Sequence, residues 1–260
     1  MSRVVVCGSL NMDVVVQSPR RPAPGETLLG AEVSFLPGGK GLNQAIASTR
    51  LGAPTALVGA IGDDPFGKTL RSFLADNDVD TVGLRVARGH ATGLALIQVA
   101  EGNNAITVAS GANRQFSKAM VRTAPRRDEV WVAQFETPLA ATEAILRQAR
   151  QAGARTVLNL APFLPHSGTL LRSVDVAVLN EIELAQASGT RLRPSSAERR
   201  ILEACQILRS KGARAVVATL GPRGAVVLTA EGATVLHGFP VKAVDTTSRA
   251  TILRQVLTGG

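Results

Sequence analysis

In the segment Gly8-Ser9-Leu10-Asn11-Met12-Asp13, Asn11 and Asp13 stand two residues apart, directly after a β-branched run. Each offers oxygen acceptors at a fixed spacing, which suits hydrogen bonds to the vicinal hydroxyls of a sugar. The same residues also suit an Asx-type turn that only terminates a strand. A second segment, Pro37-Gly38-Gly39-Lys40-Gly41-Leu42-Asn43-Gln44, sets glycines at the opening of a helix. There the backbone can approach a ligand, and the helix N-terminus favours anions and acceptors. It reads equally well as a glycine-rich turn that merely starts the helix. Neither the GxxxxGK[ST] of a P-loop nor the GxGxxG of a dinucleotide site is present.

Other chemistries are disfavoured by count and spacing. Cys7 and Cys205 form no disulfide framework and read as buried apolar residues in a reducing compartment. His90, His166 and His237 lie far apart and make no metal-ligand pair, so a zinc enzyme is not expected.

The elements that must position these residues follow from the hydrophobic period. Residues 4–7, 55–61, 129–133, 155–160, 174–179 and 213–219 are short apolar runs that suit buried parallel strands. Between them, residues 41–51, 139–150, 181–187 and 197–211 read as helices. Asp64-Pro65 reads as an N-cap and first-turn proline that open a helix to about Ala75. Such alternation predicts an α/β fold: a doubly wound, mostly parallel sheet with helices on both faces. Residues 12–36 and 93–108 break the rhythm with extended, non-helical patterning and a hairpin turn expected at Gly102-Asn103-Asn104. They predict a small β-lid over the active edge of the main sheet.

Composition narrows the function classes. With 45% hydrophobic and 19% charged residues, the chain can bury a core. No apolar run approaches the 18 residues of a membrane span, and the N-terminus turns polar too early for a signal peptide. No membrane partner and a cytoplasmic location are therefore expected. The net charge of +9 raises the question of nucleic acid. Only five of the 29 basic residues are lysine, and the arginines are scattered. With seven Phe, one Trp and no Tyr, few aromatics can stack on bases. The charge is read as serving anionic small molecules, with no nucleic-acid partner.

The motifs GSLNMD, PGGKGLNQA and GAIGDDPFG, in this order and spacing, resemble the ribokinase family of sugar kinases. The resemblance continues through Thr92-Gly93, QFETP, NLAP, LNEIE, TLGPRG and VKAVDTT and covers residues 3–247. It implies the ribokinase-like fold, a single α/β domain over residues 1–260 with a β-lid that often pairs into a homodimer. It implies ATP-dependent phosphorylation of D-ribose at the 5-hydroxyl, with Mg2+ and activating K+. Asn11 and Asp13 are then the sugar ligands, with Gly39, Lys40, Asn43 and Glu136 completing the sugar pocket. Asn180 and Glu183 organise the triphosphate and, through water, Mg2+; Thr219, Gly221 and Gly224 line the nucleotide site. Asp245 and Thr247 correspond to part of the potassium site. Phosphoryl transfer needs positioning, charge neutralisation and a base for the attacking hydroxyl, and this set supplies the first two.

The base is where the pattern departs from the family. A glycine-rich turn and a catalytic Asp belong after Asp245-Thr246-Thr247, but the chain reads Ser248-Arg249-Ala250-Thr251. Thr251 stands at the base position, and no Asp or Glu follows Asp245. The expectation is a local frameshift, later restored and followed by truncation, which would explain a scrambled block of unchanged length. Relatives continue for several elements, so an uncovered apolar face and reduced stability are expected after residue 260. Two alternatives to a ribose kinase follow: a non-catalytic sugar- or nucleotide-binding remnant, or a kinase for another sugar or a nucleoside.

Overall fold

The computed structural model describes residues 2–29, 32–165, 167–193 and 196–239. The expectations for Asp245, Thr247 and residues 248–255 lie outside them. The chain begins with β1 (Val4–Cys7), β2 (Asn11–Gln17), β3 (Glu32–Gly38), α1 (Lys40–Arg50), β4 (Thr55–Gly62) and α2 (Pro65–Ala75). There follow β5 (Val79–Asp80), β6 (Leu84–Ala87), β7 (Gly93–Ala100), β8 (Asn103–Ala109) and a 3-10 turn (Gly111–Gln115). The second half holds β9 (Val130–Ala133), α3 (Leu139–Gln151), β10 (Arg155–Asn159), β11 (Val176–Asn180), α4 (Glu181–Ser188) and α5 (Glu198–Ser210). It ends on β12 (Ala215–Thr219), β13 (Ala225–Leu228) and β14 (Ala233–Leu236).

Among the described residues the main sheet has the order β14-β13-β12-β11-β10-β9-β1-β4-β5, with β6 also on β4. Pairing is parallel from β12 across to β5 and β6, and antiparallel only at β13 and β14. Both faces are covered, as the alternation predicts. Val6, Leu57 and Ile61 pack against Leu42, Ile46, Leu70 and Leu74 of α1 and α2. Their strand neighbours Val5, Cys7 and Val58 point the other way, to Ile145 and Ala149 of α3. Beyond β10, Leu158, Leu179, Val216 and Val226 form a further core with Leu184 of α4 and Ile201, Cys205 and Leu208 of α5. Cys7 and Cys205 are both buried and unbridged, and burial pushes both thiols up, Cys205 to about 12. Among the described residues no helix is long and apolar enough to cross a membrane.

The two irregular segments join in a second sheet of order β3-β2-β7-β8, with β2 and β7 parallel and both outer pairs antiparallel. The hairpin turn falls earlier than its sequence suggests. Ala100 pairs with Asn103, and the two loop residues Glu101 and Gly102 have φ of 53° and 72°. A two-residue loop with positive φ at both positions matches the strand twist, so Asn103 and Asn104 are drawn into β8. The short strands β5, β6, β13 and β14 have no counterpart in the sequence reading.

Candidate active site

The strand order places a crevice between β1 and β9. The chain runs from β1 outward to β4 on one side, and from β9 outward to β10 on the other. Ligands in open α/β sheets sit at such a reversal, outside the carboxyl ends of the strands. The residues that follow β1 and β9 are Ser9 to Asn11 and Gln134 to Glu136. A cleft of about 310 Å³ opens there, lined by Asn11, Asn113, Arg114, Phe135, Glu136 and Pro162 among others.

Of the expected sugar ligands, Lys40 and Glu136 are paired at this point, with Asp13 in electrostatic range of both. The fully buried Ser9 donates its hydroxyl to Glu136 Oε2 at 2.6 Å. The backbone N–H of Lys40, at the start of α1, donates to the same oxygen at 3.4 Å. Lys40 Nζ lies 3.5 Å from Glu136 Oε1. Asp13 joins them from β2: burial pushes its carboxyl up to about 6, the Glu136 carboxylate adds to the rise, and the Lys40 ammonium opposes it. Asn43 stands in the first turn of α1, its N–H on Gly39 O at 3.0 Å. Gly39 has φ of 93°, and a Cβ there would lie 2.8 Å from Asn11 N and from Ser9 O. Only glycine lets α1 start this close to the segment after β1.

Asn11 lines the same cleft. It is 3% exposed, and its Oδ1 accepts a hydrogen bond from Asn113 Nδ2 at 2.9 Å. Its oxygen is therefore engaged within the protein, while no hydrogen bond among the described residues engages its amide nitrogen. Sequence reasoning assigned no part to Ser9, Asn113 or Gln134. Ser9 lies beside Asn11 in the same motif, and Gln134 opens the quoted QFETP run. Asn113 carried no signal, since it stands 102 residues from Asn11. Gln134 Nε2 donates to Gln44 Oε1 of α1. Its own Oε1 is buried without a hydrogen bond among the described residues, 2.0 Å from where a Cβ on Gly8 would fall.

The expected nucleotide residues gather at the ends of β11 and β12. Asn180 and Thr219 are register partners on the last rung of that pair. Asn180 caps α4 in a reciprocal box, accepting from Glu183 N and donating its own N–H to Glu183 Oε2, both at 2.9 Å. The two residues thus have a local structural task. Gly221 and Gly224, with φ of 59° and 97°, form the turn after β12, closed by Leu220 N on Gly224 O at 2.8 Å. Since β10 alone separates β9 from β11, this cluster lies roughly 10 Å along the sheet edge from Glu136. That separation leaves room for a polyphosphate between the two groups.

Residues 1–248 match the pattern of the pfkB family carbohydrate kinases. The chain belongs to this family. Membership places it among the phosphotransferases that act on carbohydrate hydroxyls. Among its curated relatives, the ribokinase of Haemophilus influenzae is 36% identical over 249 residues, 94% of this chain and 80% of that one. Mouse ribokinase is 35% identical over 253 residues, 94% of this chain and 77% of that one. Among solved structures, Arabidopsis thaliana ribokinase complexed with ribose and ATP aligns with a TM-score of 0.85 at 26% identity. The alignment covers 99% of this chain and 86% of that one. Giardia lamblia ribokinase aligns with a TM-score of 0.86 at 26% identity, over 99% and 83% of the two chains. These likenesses agree with the doubly wound core and the second sheet described above.

Proposed function

We propose that this pfkB-family chain is an ATP-dependent kinase of D-ribose, directed at the terminal 5-hydroxyl and yielding ribose 5-phosphate. The observation that carries the reading is a cleft lined by Asn11 and Glu136 at the reversal of the strand order, with Lys40 paired to Glu136 and Asp13 in electrostatic range of both. A donor amide, two carboxylates and an ammonium match the alternating donors and acceptors of a monosaccharide. The names of the relatives, and the ribose and ATP in the Arabidopsis complex, support the same substrate pair.

In this reading Asn11, Asp13, Gly39, Lys40, Asn43 and Glu136 hold the sugar. Asn180, Thr219, Gly221 and Gly224 line the nucleotide. Mg2+ is implied by the family, and the residues fit it in one form. Among the described residues no three His, Cys, Asp or Glu side chains gather into a metal cage. The fit is to a Mg2+ carried mainly by phosphate oxygens and water, with the Glu183 carboxylate as its outer partner. When bound, the ion supplies charge neutralisation at the phosphates. The positions assigned to K+, Asp245 and Thr247, stand only on the motif. Pairing of two lid sheets into a homodimer and a cytoplasmic location complete the proposal.

A second reading is favoured by one sequence observation: no carboxylate follows Asp245, and Thr251 occupies the base position. A threonine hydroxyl does not accept a proton near neutral pH, and losing a general base costs about 10²–10⁴-fold in rate. The chain is then a sugar-binding relative with little turnover. Ribose-dependent ADP release with ATP, Mg2+ and K+, compared between the unaltered chain and Thr251→Asp, separates the two. Turnover by the unaltered chain supports the kinase. Turnover only in the variant supports the second reading, and failure of the unaltered chain to bind ribose removes both.

A further inference from the structure

Asn113 is 1% exposed and sits in the 3-10 turn that follows the last strand of the second sheet. Its side chain makes three hydrogen bonds. Oδ1 accepts from Leu10 N at 2.9 Å, and Nδ2 donates to Leu10 O at 3.0 Å and to Asn11 Oδ1 at 2.9 Å. The two bonds to Leu10 imitate a strand partner and remove any ambiguity in the amide. A backbone N–H can only donate and a carbonyl can only accept, so the oxygen and nitrogen of Asn113 are assigned by chemistry. The nitrogen then faces Asn11, which must answer with its oxygen. Asn11 lines the cleft, and among the described residues no hydrogen bond engages its Nδ2.

We infer that Asn113 is a positioning residue which locks the Asn11 amide with its NH2 toward the sugar, so that the site presents a donor at Asn11 and an acceptor at Asp13. This rests on the sugar-site reading above and adds a polarity to it. The hydroxyl that meets Asn11 is read through its oxygen lone pair, and the one that meets Asp13 through its hydrogen. Gly93 is part of the device. A Cβ there would lie 2.3 Å from both Asn11 Oδ1 and Asn113 Nδ2, so any larger residue breaks the pair. The lock also ties the sheet's entry, at Leu10 and Asn11, to its exit at the turn after β8.

Asn113→Asp tests the lock with little change of shape. The new carboxylate sets an oxygen against Leu10 O and Asn11 Oδ1, both acceptors, and the Asn11 amide is expected to turn over. Ribose binding is measured by calorimetry for the unaltered chain, Asn113→Asp, Asn11→Ala and the double variant, each checked by thermal melting. The expected result is a loss of about 10–100-fold in ribose affinity for Asn113→Asp. In the Asn11→Ala background the same change should add less than about twofold, because its route to the sugar is gone. A purely structural role would give losses that add in full, and that overturns the inference, as does an unchanged affinity in Asn113→Asp. If the unaltered chain binds no ribose, the sugar reading falls and the inference falls with it. Should Asn113→Asp fail to fold, side-chain amide NMR of the unaltered chain decides. Asn11 NH2 signals should shift with ribose while Asn113 NH2 protons exchange slowly; fast exchange at Asn113, or unmoved Asn11 signals, overturns the lock.

Discussion

Asp13 is the residue whose chemistry is most altered by its surroundings. Burial and the nearby Glu136 raise its pKa from its ordinary value near 4 to about 6. The folded chain therefore holds a proton that an unfolded Asp has already released, and stability falls as pH rises from about 4 to about 6. Below that window the group contributes its full share; above it the share is lost. Function runs the other way, since the carboxylate is the form that accepts a hydroxyl proton. Ribose affinity is expected to weaken toward about tenfold per pH unit below pH 6, and calorimetry across pH 4.5–8 checks it. Asp13→Asn should abolish that pH dependence and weaken ribose binding. At pH 7 it should also raise the melting temperature, the usual trade between a charged site and stability.

Two elements carry a carboxylate that caps a helix and has a second task as well. At α4, Glu183 and Asn180 satisfy each other's backbone N–H groups. Glu183→Ala should destabilise the chain by about 0.5–2 kcal/mol, whereas Glu183→Gln keeps a capping box and melts like the parent. If Glu183 serves Mg2+, the glutamine variant still loses the Mg2+-dependent part of ATP affinity, measured with and without the ion. At α2, Asp64 Oδ1 accepts from Gly67 N at 2.8 Å and from Thr92 Oγ1 at 2.6 Å, while Oδ2 accepts from Thr92 N at 2.7 Å. Burial alone would raise its pKa, but the bonds from Thr92 and Gly67 outweigh it and hold the carboxyl below its usual range. Its contribution is thus present at neutral pH and lost as pH falls through that lowered value. Because Thr92 immediately precedes β7, this cap also anchors the second sheet. Asp64→Ala is expected to cost about 1–3 kcal/mol in urea unfolding, more than a cap on an isolated helix.

For the whole molecule, the second sheet leaves one question to solution behaviour. Alternation along its register puts Leu36, Ile106 and Val108 on the same face as Asp13, and they are 45%, 51% and 45% exposed. An apolar patch on an otherwise thin sheet invites a partner of the same kind. If two lids pair as proposed, Ile106→Lys should halve the mass seen by sedimentation at micromolar concentration. An unchanged dimer would place the contact elsewhere.

The sequence by itself determined the layers and most element ends, because those depend on local signals. Period and β-branching marked the buried strands, Asp64-Pro65 marked the start of α2, and Asn180 with Glu183 marked a strand-to-helix junction. The motif order also led to the right family. What only the tertiary structure decided is how the site is wired. Ser9 meets Glu136 across 127 residues, and Asn113 meets Leu10 across 103. No local spacing encodes such pairs, since they arise when separate strand ends converge on one crevice. The polarity of Asn11 is of the same kind. Its residue type offers a donor and an acceptor equally, and only a buried neighbour from the far end of the second sheet determines which one faces the ligand.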